Sequence, residues 1–259
     1  MRVLAVIPAR HASSRLPGKP LLPLAGKPVV QHVYERVRSC ARVDATVVAT
    51  DDVRIRDAVW AFGGEVVMTA PDHPSGTDRV AEVARVLPAE IVVNVQGDEP
   101  LIPPAVIEAA LEPFFASEAV RVTTLAAPFT DVADFLNPNC VKVVVDTRGD
   151  ALYFSRLPIP YVRPESGTLT LAAYGERTLL HPPSPLPALR HGGLYAYRNA
   201  DLQELVRVPP SPLERAERLE QLRILENGGK IRVVTVDRLT PGIDTPDDYR
   251  ALQTLLETS

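Results

Sequence analysis

Residues 3–20 read VLAVIPARHASSRLPGKP. Val3 to Ile7 is a short, uninterrupted apolar run of the kind that suits a strand covered on both faces. The stretch after it changes character at once. Arg10, Arg15 and Lys19 fall within ten residues, stiffened by Pro8, Pro17 and Pro20, with Gly18 permitting a tight turn. A buried parallel strand followed by a constrained cationic loop places a candidate anion cradle where ligands bind in open α/β sheets, beyond the carboxyl end of a strand. The plainer alternative is a cluster of charges on a solvated face.

Similar apolar runs recur at 45–50 (ATVVAT), 65–69 (EVVMT) and 90–95 (EIVVNV). Helical patterns lie between them near 28–40, 52–62, 77–87 and 103–116. Such alternation predicts an α/β fold with a Rossmann-like, mostly parallel sheet and helices on both faces. After about residue 120 the rhythm changes. RVTTLAAP (121–128), CVKVVVD (140–146), DALYFSR (150–156) and LYAYR (194–198) read as strands without long helices between them. We expect a single domain over 1–259 with an inserted, partly antiparallel layer at about 121–199. Prolines at 164, 182, 183, 185 and 187 predict a loop over 163–189. LERAERLEQLRIL (213–225) has leucines or alanine at threefold spacing and predicts one helix stopped by Gly228 and Gly229. IRVVTV (231–236) reads as a strand, and GIDTPDDYRALQTLL (242–256) as a turn entering a final helix, with Asp244 or Thr245 as its cap.

The chain has 259 residues, 46% of them hydrophobic and 23% charged, with a net charge of −4. Residues 1–34 contain no Asp or Glu and carry +5, which leaves −9 for the rest. A local basic zone on an acidic protein suits a small anion and argues against general nucleic-acid binding. Two cysteines, Cys40 and Cys140, form neither a disulfide framework nor metal-ligand spacing. No stretch approaches a membrane span, and VLAVIPA is too short for a secretory core. The expected setting is the cytoplasm.

Standard phosphate signatures fail. A P-loop needs glycine five residues before the Gly-Lys pair and Ser or Thr after it; Ser13 and Pro20 stand there. The dinucleotide pattern G-x-G-x-x-G is absent too, which argues against a dehydrogenase.

IPARHASSRLPGKPL resembles the first motif of the nucleotidyltransferases that make CMP-activated acidic sugars. SGTDR (75–79), NVQGDEP (94–100), NPNCVKVV (137–144), ALYFSR (151–156), RHGGLYAYR (190–198), PSPLERAERLEQLR (210–223) and DTPDD (244–248) follow in the order seen in the 3-deoxy-manno-octulosonate cytidylyltransferase (CMP-Kdo synthetase) family. The resemblance spans nearly the whole chain apart from 163–189, and it implies transfer of CMP from CTP to the anomeric hydroxyl of Kdo.

By that resemblance, Asp98 and Asp244 are Mg²⁺ ligands, and magnesium does favour a few carboxylates completed by waters and phosphates. Read without it, Asp98 is a turn residue and Asp244 a helix cap. Pro8, Ala9, Arg10, Arg15, Lys19, Ser75 and Gly76 are implied to bind the nucleotide, with Arg10, Lys19 and Asp98 catalytic. Ser75 or Thr77 could equally cap the helix that follows. Gln96, Arg156, His191, Tyr195, Glu220 and Gln221 are implied to hold the sugar, assisted by Arg79. On spacing alone, Glu220 and Gln221 are exposed helix positions and His191 a structural histidine. Gly192 departs from the family, which usually carries an apolar residue there, and glycine is expected to loosen the segment beside His191. The resemblance also implies a homodimer through the inserted sheet. Two other readings are a transferase acting on a different 2-keto acid sugar, amino-Kdo among them, and a non-catalytic nucleotide-binding regulator of the same fold.

Overall fold

The computed structural model describes residues 1–12, 16–161, 170, 173 and 189–257. Arg15 and most of the proline-rich 163–189 stretch lie outside the described residues. Among those described, the strands are β1 (Val3–Pro8), β2 (Pro23–Leu24), β3 (Lys27–Pro28), β4 (Ala45–Thr50), β5 (Val66–Met68), β6 (Ile91–Asn94), β7 (Val122–Pro128), β8 (Lys142–Val145), β9 (Ala151–Ser155), β10 (Leu189–Arg198) and β11 (Arg232–Thr235). The helices are α1 (Val29–Arg38), α2 (Val53–Ala61), α3 (Gly76–Val86), α4 (Pro104–Ala116), α5 (Val132–Leu136), α6 (Asn199–Leu205), α7 (Pro212–Glu217), α8 (Leu222–Glu226) and α9 (Pro246–Glu257). A 3₁₀ turn spans Lys19–Leu21.

The chain forms two compact units. The first contains Met1–Phe115, Leu194–Val206 and Thr240–Ser259. Its strand order is β10-β6-β1-β4-β5. β1 lies parallel to both β4 and β6, β4 is parallel to β5, and β10 runs antiparallel to β6 with Tyr195 opposite Asn94. Val3 to Ile7 are all buried, as a strand between two neighbours and under helices on both faces must be. α1 and α3 bury one apolar stripe each, Val29, Val30, Val33 and Val37 in α1 and Val80, Val83 and Ala84 in α3. The strands and helices expected before residue 120 are all present, with shifted ends.

A small cluster at one end of this unit decides where the last helix goes. Leu24, Val29, Ile243 and Leu252 are buried together, with Leu16, Leu22, Leu101, Tyr249 and Leu256 packed against them. α9 thereby docks on the segment that follows the cationic loop, and the Tyr249 hydroxyl donates to the Pro23 carbonyl. Burying Ile243 leaves Asp244 at the rim.

The second unit contains Ala116–Gly193 and Arg207–Leu239. β7 pairs in parallel with β11, and β8 pairs antiparallel with both β9 and the start of β10. This is the partly antiparallel layer expected from the sequence, and it also takes in residues beyond 199.

One element differs from its sequence pattern. LERAERLEQLRIL is two short helices, α7 and α8, because Arg218 adopts a left-handed conformation at φ 53°. The break exposes the carbonyls of Glu217 and Arg218, and the Arg156 guanidinium caps both, at 2.7 Å and 3.3 Å. Of the spaced apolar positions only Leu219 and Leu222 are buried, while Leu213 stays exposed. The Gly228 stop holds, at φ 77°. Among the described residues no helix is long and apolar enough to cross a membrane.

Candidate active site

In the first unit, β1 and β6 end side by side, and the loops after them meet. Ala9 is buried and donates its N–H to Ala49 O at 2.9 Å. A Cβ at Gly97 would lie 2.9 Å from Pro8 O, so glycine is what lets the Gln96–Asp98 turn lie against the end of β1. Gln96 reaches Asn94 Oδ1 at 3.4 Å, and Tyr195 stacks on Tyr197. Gln96 and Tyr195 therefore share the carboxyl end of β6. The cationic loop closes where Gly18, at φ +71°, donates to His11 O at 2.9 Å. Lys19 then opens the 3₁₀ turn with its chain aimed back at the strand ends.

Lys19 is the hub. Its side chain is only 13% exposed, and Nζ lies 2.6 Å from Asp98 Oδ2 and 3.8 Å from Asp244 Oδ1. Nζ also donates to Ile243 O at 2.6 Å, and Ile243 N–H donates to Asp98 O at 2.8 Å. Asp98 and Asp244, 146 residues apart in sequence, thus converge on one ammonium. The helix cap that Asp244 could have supplied comes from Thr245 instead. Asp248 N–H donates to Thr245 Oγ1 at 3.2 Å, and Thr245 N–H donates to Asp248 Oδ2 at 2.7 Å.

Arg10 does something its sequence position did not suggest. One terminal nitrogen donates to His73 O at 2.9 Å and to Ser75 O at 2.7 Å, fastening the cationic loop to the loop before α3. Ser75 caps α3, accepting from Asp78 N–H at 3.2 Å, so its hydroxyl is in use and the α3 N-terminus is firmly set. A Cβ at Gly76 would touch the Pro8 ring at 3.6 Å, which brings that N-terminus and its partial positive charge against Pro8. Arg79 differs from expectation. It is fully buried, donates to Thr69 Oγ1 and sits 3.1 Å from Asp51. In this arrangement it ties α3 to Thr69 and Asp51.

The second unit holds the other implied sugar residues. Arg156 donates to the carbonyls of Glu217, Pro138 and Arg218. His191 lies edge-on to Phe154 with ring centroids 5.0 Å apart, and its Nε2 is 3.1 Å from Thr124 Oγ1. Desolvation lowers its pKa to about 3, so it is a neutral hydrogen-bonding ring at physiological pH, not a cation for a carboxylate. Gly192 does not loosen its surroundings. A Cβ there would come within 2.8 Å of Leu239 Cδ2, and its carbonyl accepts from Thr124 Oγ1 at 3.2 Å; it is a close-packing glycine. Gln221 is buried, and its Nε2 makes no hydrogen bond among the described residues. Glu220, just before it, is half-buried.

The cytidylyltransferase family model matches residues 4–231. The chain is 51% identical over 248 residues to a 3-deoxy-manno-octulosonate cytidylyltransferase of Geobacter metallireducens, covering 96% of this chain and 95% of that one. The chain belongs to the 3-deoxy-manno-octulosonate cytidylyltransferase family. A second relative under that name, from Geobacter sulfurreducens, is 52% identical over 96% of both chains. A solved CMP:2-keto-3-deoxy-manno-octonic acid synthetase complexed with CTP superposes with a TM-score of 0.89 at 44% identity, over 100% of this chain and 99% of that one. A cytidylyltransferase from Leptospira borgpetersenii shares the fold alone, at 17% identity, a TM-score of 0.62 and coverage of 100% and 88%.

For a member of this cytidylyltransferase family, the sequence motifs pick out the side chains but not the backbone partners. Ile243 O, which holds Lys19, carries no sequence signal. Glu99 does. Burial and the neighbouring Asp98 push its carboxyl pKa up to about 8, an outcome that two adjacent acids after an apolar strand make legible.

Proposed function

We propose that this chain transfers the CMP group of CTP to the anomeric hydroxyl of 3-deoxy-manno-octulosonate (Kdo), with pyrophosphate as the leaving group. The observation that carries the reading is the Lys19 ammonium held between Asp98 and Asp244 at the strand ends. The names of the 51% and 52% identical relatives support the acceptor and the reaction. The CTP named in the structure at 44% identity supports the donor.

In this reading the sugar hydroxyl oxygen bonds to the α-phosphorus, the bond to pyrophosphate breaks, and the hydroxyl proton leaves. Charge grows on phosphate oxygens as the transfer proceeds. Lys19 and the remaining guanidinium donors of Arg10 meet that charge from a preorganised loop, which is worth far more than the same cations in water. The loop at Ser75–Gly76, fixed by the α3 cap and by Arg10, presents backbone groups to the base. Arg15 is assigned to the phosphates by the motif match alone. By the motif match alone, Gln96 and Tyr195 of the first unit and Arg156, His191, Glu220 and Gln221 of the second are each assigned to the acceptor's hydroxyls and carboxylate. Gln221 Nε2, which has no hydrogen-bond partner among the described residues, supports its share of this role, because a buried donor without an acceptor costs about 1–3 kcal/mol and a sugar oxygen would satisfy it.

Asp98 and Asp244 fit magnesium. Their carboxylates converge within 3.8 Å of one cationic nitrogen. No cluster of three or more metal-type side chains occurs among the described residues, and magnesium needs none, since it keeps waters and takes phosphates. When bound, the ion supplies charge neutralisation at the transferring phosphate.

The proposal extends to assembly and setting. β9 pairs only with β8 among the described strands, and Leu152, Leu157 and Tyr161 on and after it are 62%, 71% and 65% exposed. An apolar edge of this kind supports a homodimer through the second unit. Two free, buried cysteines support a reducing cytoplasm. Pyrophosphate release with CTP and Mg²⁺ across a panel of acidic sugars tests the acceptor; turnover with amino-Kdo in preference to Kdo would move the assignment, and no turnover with any sugar would favour a regulator.

A further inference from the structure

Glu217 is absent from every role given so far, yet it is the knot of the second unit's polar network. Its carboxylate accepts from Ser155 Oγ at 2.8 Å and from Arg156 N–H at 3.0 Å. Its own carbonyl accepts from Arg156 Nε at 2.7 Å. Glu217 and Arg156 therefore grip each other in both directions, side chain to backbone. The other guanidinium nitrogens hold Pro138 O and Arg218 O at 3.0 Å and 3.3 Å. From beneath, fully buried Lys142 donates to Asn137 O at 2.7 Å and to Arg156 O at 2.9 Å.

The consequence lies one residue on. Arg218 is in the left-handed region, which a residue with a Cβ occupies only when its surroundings impose it. Leu219 is buried directly after it, and Glu220 and Gln221 follow before α8 begins. If 213–225 were one helix, these two side chains would turn to other directions. The clasp at Glu217 is what stops α7 there.

We propose that Glu217 is a positioning residue for the acceptor sugar: by locking the end of β9 to the end of α7 it fixes the Arg218 turn, and so the aim of Glu220 and Gln221. The inference rests on the acceptor role of those two residues proposed above. Glu217 itself touches no substrate. A side chain of this length with two hydrogen-bonding termini is required, because a hydroxyl and a backbone N–H on successive residues must both find a partner.

The test is steady-state kinetics on the full-length protein with Kdo and CTP varied separately. Glu217→Ala is expected to raise KM for Kdo roughly tenfold while KM for CTP stays within about twofold. Glu217→Gln, which keeps one acceptor for Arg156 N–H and can donate to Ser155 Oγ, is expected to recover most of the loss. A merely structural role would lower the melting temperature and shift both KM values together, and that result overturns the proposal, as does a Glu217→Ala enzyme with unchanged KM for Kdo. If Glu217→Ala does not fold, Ser155→Ala removes one of the two contacts; it must show the same one-sided rise at smaller size, and its absence counts against the proposal. Failure of the functional reading itself looks different, because the unaltered protein would then release no pyrophosphate with Kdo.

Discussion

Lys19 carries more than its loop position implied. From the sequence it is a loop cation with little packing role, so that Lys19→Ala should slow transfer far more than it unfolds the protein. In the structure its ammonium satisfies two carboxylates and a carbonyl while largely buried. Lys19→Ala should therefore lower kcat/KM by roughly 100-fold or more and also lower the melting temperature, because Asp98 loses its partner. Thermal melts beside kinetics check this, and an unchanged melting temperature would show the pair to be functional only. His191 offers a pH test. Its pKa in the folded protein is about 3 against an ordinary value of 6.5, so the unfolded chain binds a proton that the folded chain refuses across that interval. The stability this contributes is complete above pH 6.5 and is lost as pH falls towards 3. Urea denaturation of His191→Asn between pH 4 and 7 should show a shallower acid limb than the unaltered protein; parallel limbs would mean that His191 is protonated in the fold.

At the scale of elements, legibility tracks how local each cause is. β1, β4 and β6 were readable because continuous β-branched runs bounded by turn residues have few other folded forms. The break at Arg218 was not readable, since leucines at threefold spacing fit one helix as well as two, and the cause is Arg156, 62 residues earlier in the chain. The same holds at the site. Asp98 and Lys19 could be picked by motif, but Arg10 fastening two loops and Arg79 bracing α3 depend on contacts 63 and 28 residues away in sequence. Two substitutions examine these elements. Arg218→Gly relieves the left-handed strain while leaving its carbonyl to Arg156, and is expected to change stability by no more than about 1 kcal/mol, in the favourable direction. A marked loss in chemical denaturation would mean that the Arg218 side chain, and not the backbone, holds the break. Thr245→Ala removes one arm of the α9 cap and should cost about 1 kcal/mol, with KM for magnesium rising as Asp244 loses its fixed neighbour; a stability loss with magnesium dependence unchanged would separate the cap from the metal role.

For the whole molecule, each unit is described by the groups it holds. Lys19, Asp98 and Asp244 converge within the first, and Arg156 and Glu217 are clasped within the second. The exposed apolar edge at β9 predicts assembly. Leu152→Asp with Leu157→Asp should shift the protein to monomer in sedimentation velocity, and a double variant that sediments as the unaltered protein does would place the interface elsewhere. Composition and charge excluded whole classes of function at this scale, while the choice of sugar came from ordered motifs and then from relatives at about half identity. The most direct measurement of the central claim is continuous pyrophosphate release by the purified protein with CTP and Mg²⁺, Kdo being compared with amino-Kdo and a sialic acid at equal concentration. The account predicts Kdo-dependent release, abolished without Mg²⁺ and reduced at least roughly 100-fold in Asp98→Asn; release that is independent of Kdo, or an Asp98→Asn enzyme as active as the unaltered one at limiting Mg²⁺, would contradict it.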